Sequence, residues 1–207
     1  MTKGLRERRK EATRLAIAAA AMALFEVEGF DKVTIPQIAA AAGVSKMTVT
    51  NYFPRKEDLV FDHAEATINS LAEAVITRPR GETPLAALRR DYATRLAAGD
   101  VTLGPPTESF ARLVHSSHSL TARGRDITDR REQALADALA SESTANDPYP
   151  RIVAAQLASI HRVLFEYSVT LLLRGAKPPA IRRSLSTAAE KAFTALEPSL
   201  GTYARRP

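Results

Sequence analysis

Residues 34–60, TIPQIAAAAGVSKMTVTNYFPRKEDLV, predict two short helices joined by a tight turn. Thr34 is followed three residues later by a glutamine, the spacing of a capping box whose side chains satisfy free backbone N–H groups at a helix start. Gly43 suits the end of this helix, because glycine adopts the left-handed conformation without steric penalty. Ser45 can cap a second helix, which Pro54 ends. The stretch therefore predicts a helix-turn-helix.

The second short helix has the length and the surface of a DNA-reading helix. Val49 and Phe53 share one face at i, i+4 spacing and are predicted to pack inward. The side chains that point elsewhere are Lys46, Met47, Thr50 and Asn51. A helix of this kind fits the major groove of DNA, at an angle that the tight turn sets. The alternative is an ordinary pair of antiparallel helices in a helical protein.

Three motifs resemble those of the TetR (tetracycline-repressor-like) family. They are F-x-x-x-G-F-D-x-V-T over 25–34, I-A-x-A-A-G-V-S over 38–45, and T-V-x-x-Y-F-P-x-K-E-D-L over 48–59. The resemblance covers about the first 60 residues. It implies an all-α fold of about nine helices, with an N-terminal three-helix DNA-binding domain and a C-terminal helical domain for ligand binding and dimerisation.

Two sets of residues are predicted to contact DNA. Position by position, the resemblance implies base contacts by Lys46, Met47, Thr50 and Asn51. Hydroxyl or cationic groups at helix starts or on the groove-flanking face are predicted to hold phosphates, and these are Thr34, Ser45, Thr48, Tyr52 and Lys56. Residues 1–14 carry six Lys and Arg against two Glu, so this basic tail is predicted to add electrostatic attraction.

The composition agrees with this interpretation. The 207 residues are 45% apolar, enough for a sizeable core, and the net charge of +6 suits a polyanionic partner, although a basic surface alone is weak support. The absence of cysteine excludes disulfides and thiolate chemistry and fits a reducing compartment. The uncharged run 15–25 resembles a signal peptide, but the glutamates before it and its helical apolar stripe favour an amphipathic helix. With no membrane-spanning stretch, we expect a soluble cytoplasmic protein that is nucleoid-associated when bound to DNA.

Beyond residue 60 the sequence predicts helices separated by short loops that contain proline or glycine. The predicted domains are residues 1–54, which bind DNA, and residues 55–207, which bind a ligand and dimerise. A helix over 55–78 is predicted to link them. Apolar periodicity predicts further helices over 84–98, 107–117, 119–143, 151–174 and 180–196.

The last two helices are predicted to form a homodimer interface, because their apolar surface is wider than one neighbour covers. The predicted interface residues are Leu157, Ile160, Leu164, Leu171, Leu185, Ala188, Ala192 and Leu196. The alternative is that both helices belong to the core of a single chain. Reading a palindromic site also favours a dimer, because one short helix contacts few bases.

The second domain is predicted to bind a small molecule rather than transform it. Candidate ligand-binding residues are polar or aromatic groups that interrupt apolar helices: Tyr92, Phe110, His115, Arg162, Phe165, Glu166 and Tyr167. Arg162 and Glu166 have the alternative of pairing on the surface, and the phenylalanines that of packing in the core. His115 and His118 are spaced for a shared helix face, but no HExxH, glycine-rich phosphate loop or G-x-S-x-G accompanies them. We therefore expect no metal, cofactor or catalytic site.

These features predict a DNA-binding transcriptional regulator, a repressor that leaves a palindromic operator when a small-molecule effector binds. The family resemblance implies that a shift of the fourth helix changes the separation of the two reading heads, which must match successive major grooves about 34–36 Å apart. The alternative is a helical DNA-binding protein without an effector, either constitutive or architectural.

Overall fold

The computed structural model describes residues 4–104, 107–143 and 146–206 and contains no strand among them. It has nine α-helices within these residues, so the all-α prediction is confirmed. They are α1 (Leu5–Glu28), α2 (Ile35–Ala41), α3 (Lys46–Tyr52), α4 (Ala64–Ile76), α5 (Pro84–Ala98), α6 (Glu108–Ser116), α7 (His118–Ala140), α8 (Tyr149–Leu173) and α9 (Pro178–Leu200). Short 3-10 helices span Lys56–Leu59 and Val101–Leu103.

The first helix is longer than the sequence predicted. The basic residues expected in a tail form the first turns of α1, which starts at Leu5. Its buried face consists of Ile17, Ala21 and Phe25. The stripe predicted from the sequence was Leu15, Ala18, Met22 and Phe25, of which only Phe25 is buried. Alanine occupies every side of this helix, so periodicity alone does not select a face, and the branched Ile17 and the ring of Phe25 decide the packing.

The predicted linking helix over 55–78 is interrupted. A 3-10 helix at Lys56–Leu59 is followed by a break, and α4 begins only at Ala64. The backbone carbonyl of Asp62 accepts a hydrogen bond from Arg14 Nη2 at 2.7 Å, and the same guanidinium pairs with the Asp62 carboxylate. This contact with α1 stabilises the break, because it gives a carbonyl outside the helix its own partner.

The chain forms two compact units. One contains the residues up to Ala64 together with Arg112–Gly124, and the other contains Glu65–Ala111 and Arg125–Pro207. The first unit therefore extends beyond the boundary predicted after Pro54. Within it, Ser117 Oγ donates to Asp31 Oδ1 at 3.0 Å and Arg123 Nη2 donates to Asp58 Oδ1 at 2.9 Å, which hold the later segment against the earlier one.

The second unit has a large core built mainly by α5, α8 and α9. Helix α9 packs against both α8 and α5. The predicted apolar stripes of α5 and α7 are confirmed, because their members are buried. Those in the second unit are Leu85, Leu88, Tyr92, Leu96, Ile127, Leu135 and Leu139, and Leu120 is buried in the part of α7 that belongs to the first unit. Each fully buried leucine contributes about 1.5–3 kcal/mol of hydrophobic stabilisation.

The C-terminal segment is held against the loop between α4 and α5. Arg206 N donates to Glu82 O at 3.1 Å, and Gly81 N donates to Arg206 O at 2.8 Å. Beneath this segment lies Arg78, which has no exposed surface and hydrogen-bonds to Ala204 O at 2.8 Å. Ala204 and Arg206 are thereby part of the second unit's structure.

Candidate nucleic-acid interface

The first helix of the predicted helix-turn-helix begins and ends as its sequence indicates. The capping box at the start of α2 is present, with Thr34 N donating to Gln37 Oε1 at 2.8 Å. Ile38 is fully buried, which fixes α2 against α1. After α2, Gly43 has a φ of +66°, and Val44 N donates to Ala39 O at 2.9 Å. The left-handed glycine lets the chain turn directly into α3.

Helix α3 is held by a cap at its start and by two apolar anchors. Ser45 Oγ accepts from Thr48 N at 3.0 Å. Val49 and Phe53 are buried, and the Arg14 guanidinium lies 5.4 Å from the centre of the Phe53 ring. These contacts fix which side of α3 faces outward, so the opposite side is available to a partner.

The residues predicted to read bases lie on that outward side. Lys46, Met47 and Asn51 are exposed, Met47 by 68%. Thr50 is half-buried, and its hydroxyl donates to Met47 O at 3.1 Å. Thr50 therefore presents its methyl group, the part suited to a thymine methyl, while Lys46 keeps its donors for guanine acceptors.

Four of the residues predicted to hold phosphates lie around the ends of α2 and α3. The Thr34 hydroxyl donates to Gln37 Oε1 at 2.7 Å, so it must change partner before it can donate to a phosphate. The Ser45 and Thr48 hydroxyls are 2.8 Å apart and share one hydrogen, which leaves the other free for a phosphate. Tyr52 is half-buried at the end of α3.

Lys56 occupies a different environment from the one predicted. Its ammonium donates to Phe30 O at 2.5 Å and lies 4.3 Å from the centre of the Phe30 ring and 5.8 Å from that of Phe25. Burial lowers the pKa of Lys56, against the opposing effect of Asp31 and Glu57. Because the ammonium already has partners inside the first unit, its position favours a structural role over the predicted phosphate contact.

Four basic residues are exposed on the first turns of α1, namely Arg6, Arg8, Arg9 and Lys10, whereas Arg14 is half-buried against Asp62 and Lys3 lies outside the described residues. A helix holds their charges at fixed spacing, whereas a loose tail would let them spread. The positive surface of the first unit therefore has a defined arrangement along α1.

The structure does not gather the predicted ligand-binding residues into one site. Tyr92 is buried in the second unit, Phe110 is half-buried, and His115 is exposed on a segment that belongs to the first unit. The remaining four residues, Arg162, Phe165, Glu166 and Tyr167, are exposed on α8. Arg162 Nη1 donates to Glu166 Oε1 at 3.1 Å, so these two form the surface pair that the sequence left as an alternative.

A cleft of about 320 Å³ lies between α5 and α9. Its apolar part includes Tyr92, Leu96 and Phe193, and its polar part includes Arg89, Arg182, Arg183 and Glu190. Behind the two aromatic residues lies His161, whose ring centre is 5.3 Å from that of Tyr92 and 6.0 Å from that of Phe193. Of the predicted ligand-binding residues, only Tyr92 lines this cleft.

Two polar residues near the cleft were missed by the sequence analysis. Arg131 on α7 and His161 on α8 approach each other, with Nη2 of the arginine 3.4 Å from Nδ1 of the histidine. Each occupies a position in an apolar helical stripe, and from the sequence alone this position indicated that the polar side chain would be buried.

The residues predicted to form a dimer interface divide into two groups. Leu157, Ile160, Leu164 and Leu185 are buried in the core of the single chain, so they have little surface left for a partner. Leu171, Ala188, Ala192 and Leu196 are partly exposed. The apolar side chains that α8 does expose include Ile152 and Val163, each 51% exposed. The alternative that the sequence left open, in which these residues belong to the core of a single chain, therefore holds for Leu157, Ile160, Leu164 and Leu185.

The family model of bacterial regulatory proteins, tetR family, matches residues 17–62, from within α1 to just before α4. This range contains the caps, the turn and the outward side of α3. The match covers less than a quarter of the 207 residues and shows that this part of the chain is similar to the DNA-binding domain of TetR-family regulators. The helix-turn-helix of this chain is therefore a DNA-binding element of the kind found in bacterial regulatory proteins of the tetR family.

Two curated HTH-type transcriptional regulators illustrate how far the similarity extends. The chain is 29% identical over 212 residues to the HTH-type transcriptional regulator TcmR of Streptomyces glaucescens, covering 99% of this chain and 91% of TcmR. It is 36% identical over 92 residues to the regulator RutR of Escherichia coli strain K12, covering 44% of this chain and 39% of RutR. These relatives are regulators of transcription and not enzymes.

Solved structures share the fold of this chain at lower identity. A TetR-family regulator (SCO0857) from Streptomyces coelicolor A3 is 23% identical with a TM-score of 0.51, over 94% of this chain and 99% of that one. SmeT in complex with triclosan is 21% identical with a TM-score of 0.55, over 89% and 91% of the two chains. Within the part of the chain that the structure describes, no helix combines the length and apolarity needed to cross a membrane.

Proposed function

We propose that this protein is a TetR-family regulator, and specifically a cytoplasmic repressor that binds a palindromic operator as a homodimer and leaves it when a small molecule binds the second unit. The observation that carries the proposal is the geometry of α3. Its inward side is anchored by Val49 and Phe53, while Lys46, Met47 and Asn51 are exposed. A rigid helix with free side chains at its N-terminal end suits base recognition in the major groove.

In this proposal the DNA contacts divide by chemistry. Lys46, Met47, Asn51 and the Thr50 methyl group face base edges and supply sequence preference. The hydroxyls at the helix starts and the cations of α1 hold phosphates, which supply affinity and its dependence on salt.

Dimerisation is proposed to use the exposed sides of α8 and α9. Ile152 and Val163 on α8 offer apolar surface that the single chain does not cover. A single α3 contacts only a few base pairs, so two copies on a two-fold axis are needed to recognise an operator.

Effector control is supported by the cleft of the second unit and by two proteins of known structure that share the fold. SmeT has been solved with triclosan, and NalD, which is 21% identical with a TM-score of 0.54, is the secondary repressor of the MexAB-OprM efflux pump in Pseudomonas aeruginosa. We propose that ligand binding in the second unit changes the separation of the two α3 helices, so that they no longer match successive major grooves.

The test is selection of bound fragments from the source genome, followed by footprinting on the best fragment. A two-fold symmetric footprint with half-site centres about 10 base pairs or a multiple apart is expected. Transcription of the adjacent gene should rise when the regulator is deleted. A single asymmetric site would contradict the proposed dimer, and unchanged or lower transcription would contradict the proposed repression.

A further inference from the structure

Three polar atoms in the second unit are shielded from solvent and have no hydrogen-bond partner among the described residues. They are Tyr92 Oη on α5, Arg131 Nε on α7 and His161 Nε2 on α8. Buried polar groups are nearly always paired, because each unpaired one keeps the cost of leaving water. Three such atoms on residues that contact one another therefore need a physical reason.

All three atoms can donate a hydrogen bond, and of the three only Tyr92 Oη can also accept one. Arginine only donates, so the 3.4 Å contact makes His161 Nδ1 the acceptor and places the imidazole hydrogen on Nε2. Burial, together with the nearby charges of Arg131 and Arg95, holds the pKa of His161 well below its usual value, so the ring is neutral. Burial raises the pKa of Tyr92 to about 12, and its hydroxyl keeps its hydrogen. The cluster thus offers three donors, and none of them is paired with an acceptor among the described residues.

The nearby carboxylates are already bound elsewhere. Arg95 Nε donates to Asp100 Oδ2 at 2.8 Å, and Arg95 Nη1 donates to Asp91 Oδ2 at 3.3 Å. Burial acts to raise the pKa of Asp100, but hydrogen bonds from Arg95 and Thr102 outweigh it and lower the pKa to about 2. Arg131 makes no ion pair within the described residues, and burial lowers its pKa to about 10, so it remains a cation at neutral pH.

The cleft between α5 and α9 is separated from Arg131 and His161 by aromatic side chains of its own lining. Tyr92 and Phe193 line the cleft on one side and pack against His161 on the other. Arg182 and Arg183 also line it, and the charge of Arg89 is shared with Glu190. An anion approaching the cleft therefore meets positive charge, and the apolar lining suits an uncharged body.

We propose that this cleft binds a small organic carboxylate, whose oxygens accept hydrogen bonds from Arg131, His161 and Tyr92 while its apolar body lies against Phe193. The proposal rests on the proposed function, in which such a molecule is the effector. The Tyr92 ring must turn to admit the carboxylate, because it separates the cleft from His161. A carboxylate fits better than water, since water brings two hydrogens that would need acceptors of their own.

The experiment is calorimetric titration of the full chain, without DNA, with carboxylates and their matched neutral amides. The pairs are formate with formamide, benzoate with benzamide, and 1-naphthoate with 1-naphthamide, so that the smallest probe has no body to clash. At least one carboxylate is expected to bind about 10- to 100-fold more tightly than its amide, the ratio typical of hydrogen bonds to a charged group.

Variants of two neighbouring arginines assign this preference to the cluster. Arg131→Gln is expected to abolish the difference between carboxylate and amide. Arg130→Gln is the matched control, because Arg130 lies on the surface and pairs with Glu65 at 3.2 Å. The proposal is wrong if no carboxylate binds more tightly than its amide, or if Arg131→Gln keeps the preference.

A second measurement separates a ligand-binding arginine from a structural one. Arg131→Met removes an unpaired cation while keeping most of its volume, so the midpoint of thermal unfolding should stay equal or rise. A clear fall would show that Arg131 stabilises the fold, which would overturn the proposal. If a carboxylate binds as expected but leaves operator binding unchanged, the site stands and the proposed effector control fails.

Discussion

Replacing the buried arginine Arg78 by methionine should destabilise the second unit strongly. Every donor of this side chain that the structure shows is used inside the protein. Nη1 donates to Val75 O at 2.7 Å and to Glu142 Oε1 at 2.9 Å. Nη2 donates to Glu142 Oε2 at 2.5 Å and to Ala204 O at 2.8 Å, and Nε donates to Glu82 O at 3.2 Å. Arg78→Met preserves much of the apolar stem and removes all five hydrogen bonds.

The size of the effect follows from the groups left behind. A buried acceptor without a donor costs about 1–3 kcal/mol, and removing one partner of a buried ion pair costs about 3–5 kcal/mol. The Glu142 side chain is 37% exposed, so water replaces part of what it loses. The carbonyl of Ala204 can also regain water if the C-terminal segment lifts. We therefore expect a loss of about 3 kcal/mol in the free energy of unfolding, at the lower end of that range.

Urea denaturation followed by circular dichroism measures this loss, with hydrogen exchange of residues 201–206 as a local readout. Arg80→Met is the matched control, because Arg80 is exposed two residues away and should change stability by less than about 0.5 kcal/mol. Exchange in the C-terminal segment should accelerate only in Arg78→Met. A loss below about 1 kcal/mol, or equal losses in the two variants, would refute the argument that these hydrogen bonds stabilise the unit.

Four further outcomes are expected. Lys46→Ala should weaken discrimination at one position per half-site by about 1–3 kcal/mol, measured by competition with singly substituted operators; an equal loss on all sequences would make it a phosphate contact. Lys56→Ala should lower the free energy of unfolding by about 1–2 kcal/mol without changing the salt dependence of binding to random DNA. If the slope of log affinity against log salt concentration instead falls by about one per contact, the predicted phosphate role is restored. Val163→Glu should give monomers in sedimentation, with operator binding reduced far more than binding to random DNA; an intact dimer would place the interface elsewhere. Hydrogen bonding and charge attraction from Arg78 lower the pKa of Glu142 below its ordinary 4.5, so its stabilisation is present above that value and is lost as the pH falls through the folded-state pKa. Urea denaturation between pH 7 and pH 3 should show this loss in the native chain and not in Arg78→Met.

The parts of the fold that depend on local sequence were predictable. The caps at Thr34 and Ser45 and the turn at Gly43 involve residues within a few positions of one another, so the helix-turn-helix could be derived before the structure was known. The apolar stripe of α5 through Leu85 and Leu88 was equally clear, because large apolar residues recur there at helical spacing. Capping, turn and periodicity patterns are sufficient to predict an element where they agree with how that element packs in the folded chain.

Other features depended on contacts between distant residues. The break before α4 is stabilised by Arg14, nearly fifty positions earlier in the chain. Lys56 looked like a phosphate contact because its partner, the carbonyl of Phe30, lies on a different segment. The apolar side of α8 was expected at a dimer interface, but Leu157 is fully buried in the chain's own core, since a periodic pattern does not specify which surface it meets.

Arg130 and Arg131 on α7 illustrate which features could be predicted from the sequence and which required the structure. Ile127, Arg131 and Leu135 recur at intervals of four, and both apolar members are buried, so the pattern already placed this arginine on the inward side and its neighbour Arg130 outside. A cation in an apolar stripe usually has a carboxylate partner. Here the two nearest candidates are bound by Arg95 on α5, a fact of tertiary packing that no spacing within α7 reveals. The position of Arg131 could therefore be derived from the sequence, but the missing partner, which is the reason to expect a bound anion, could not.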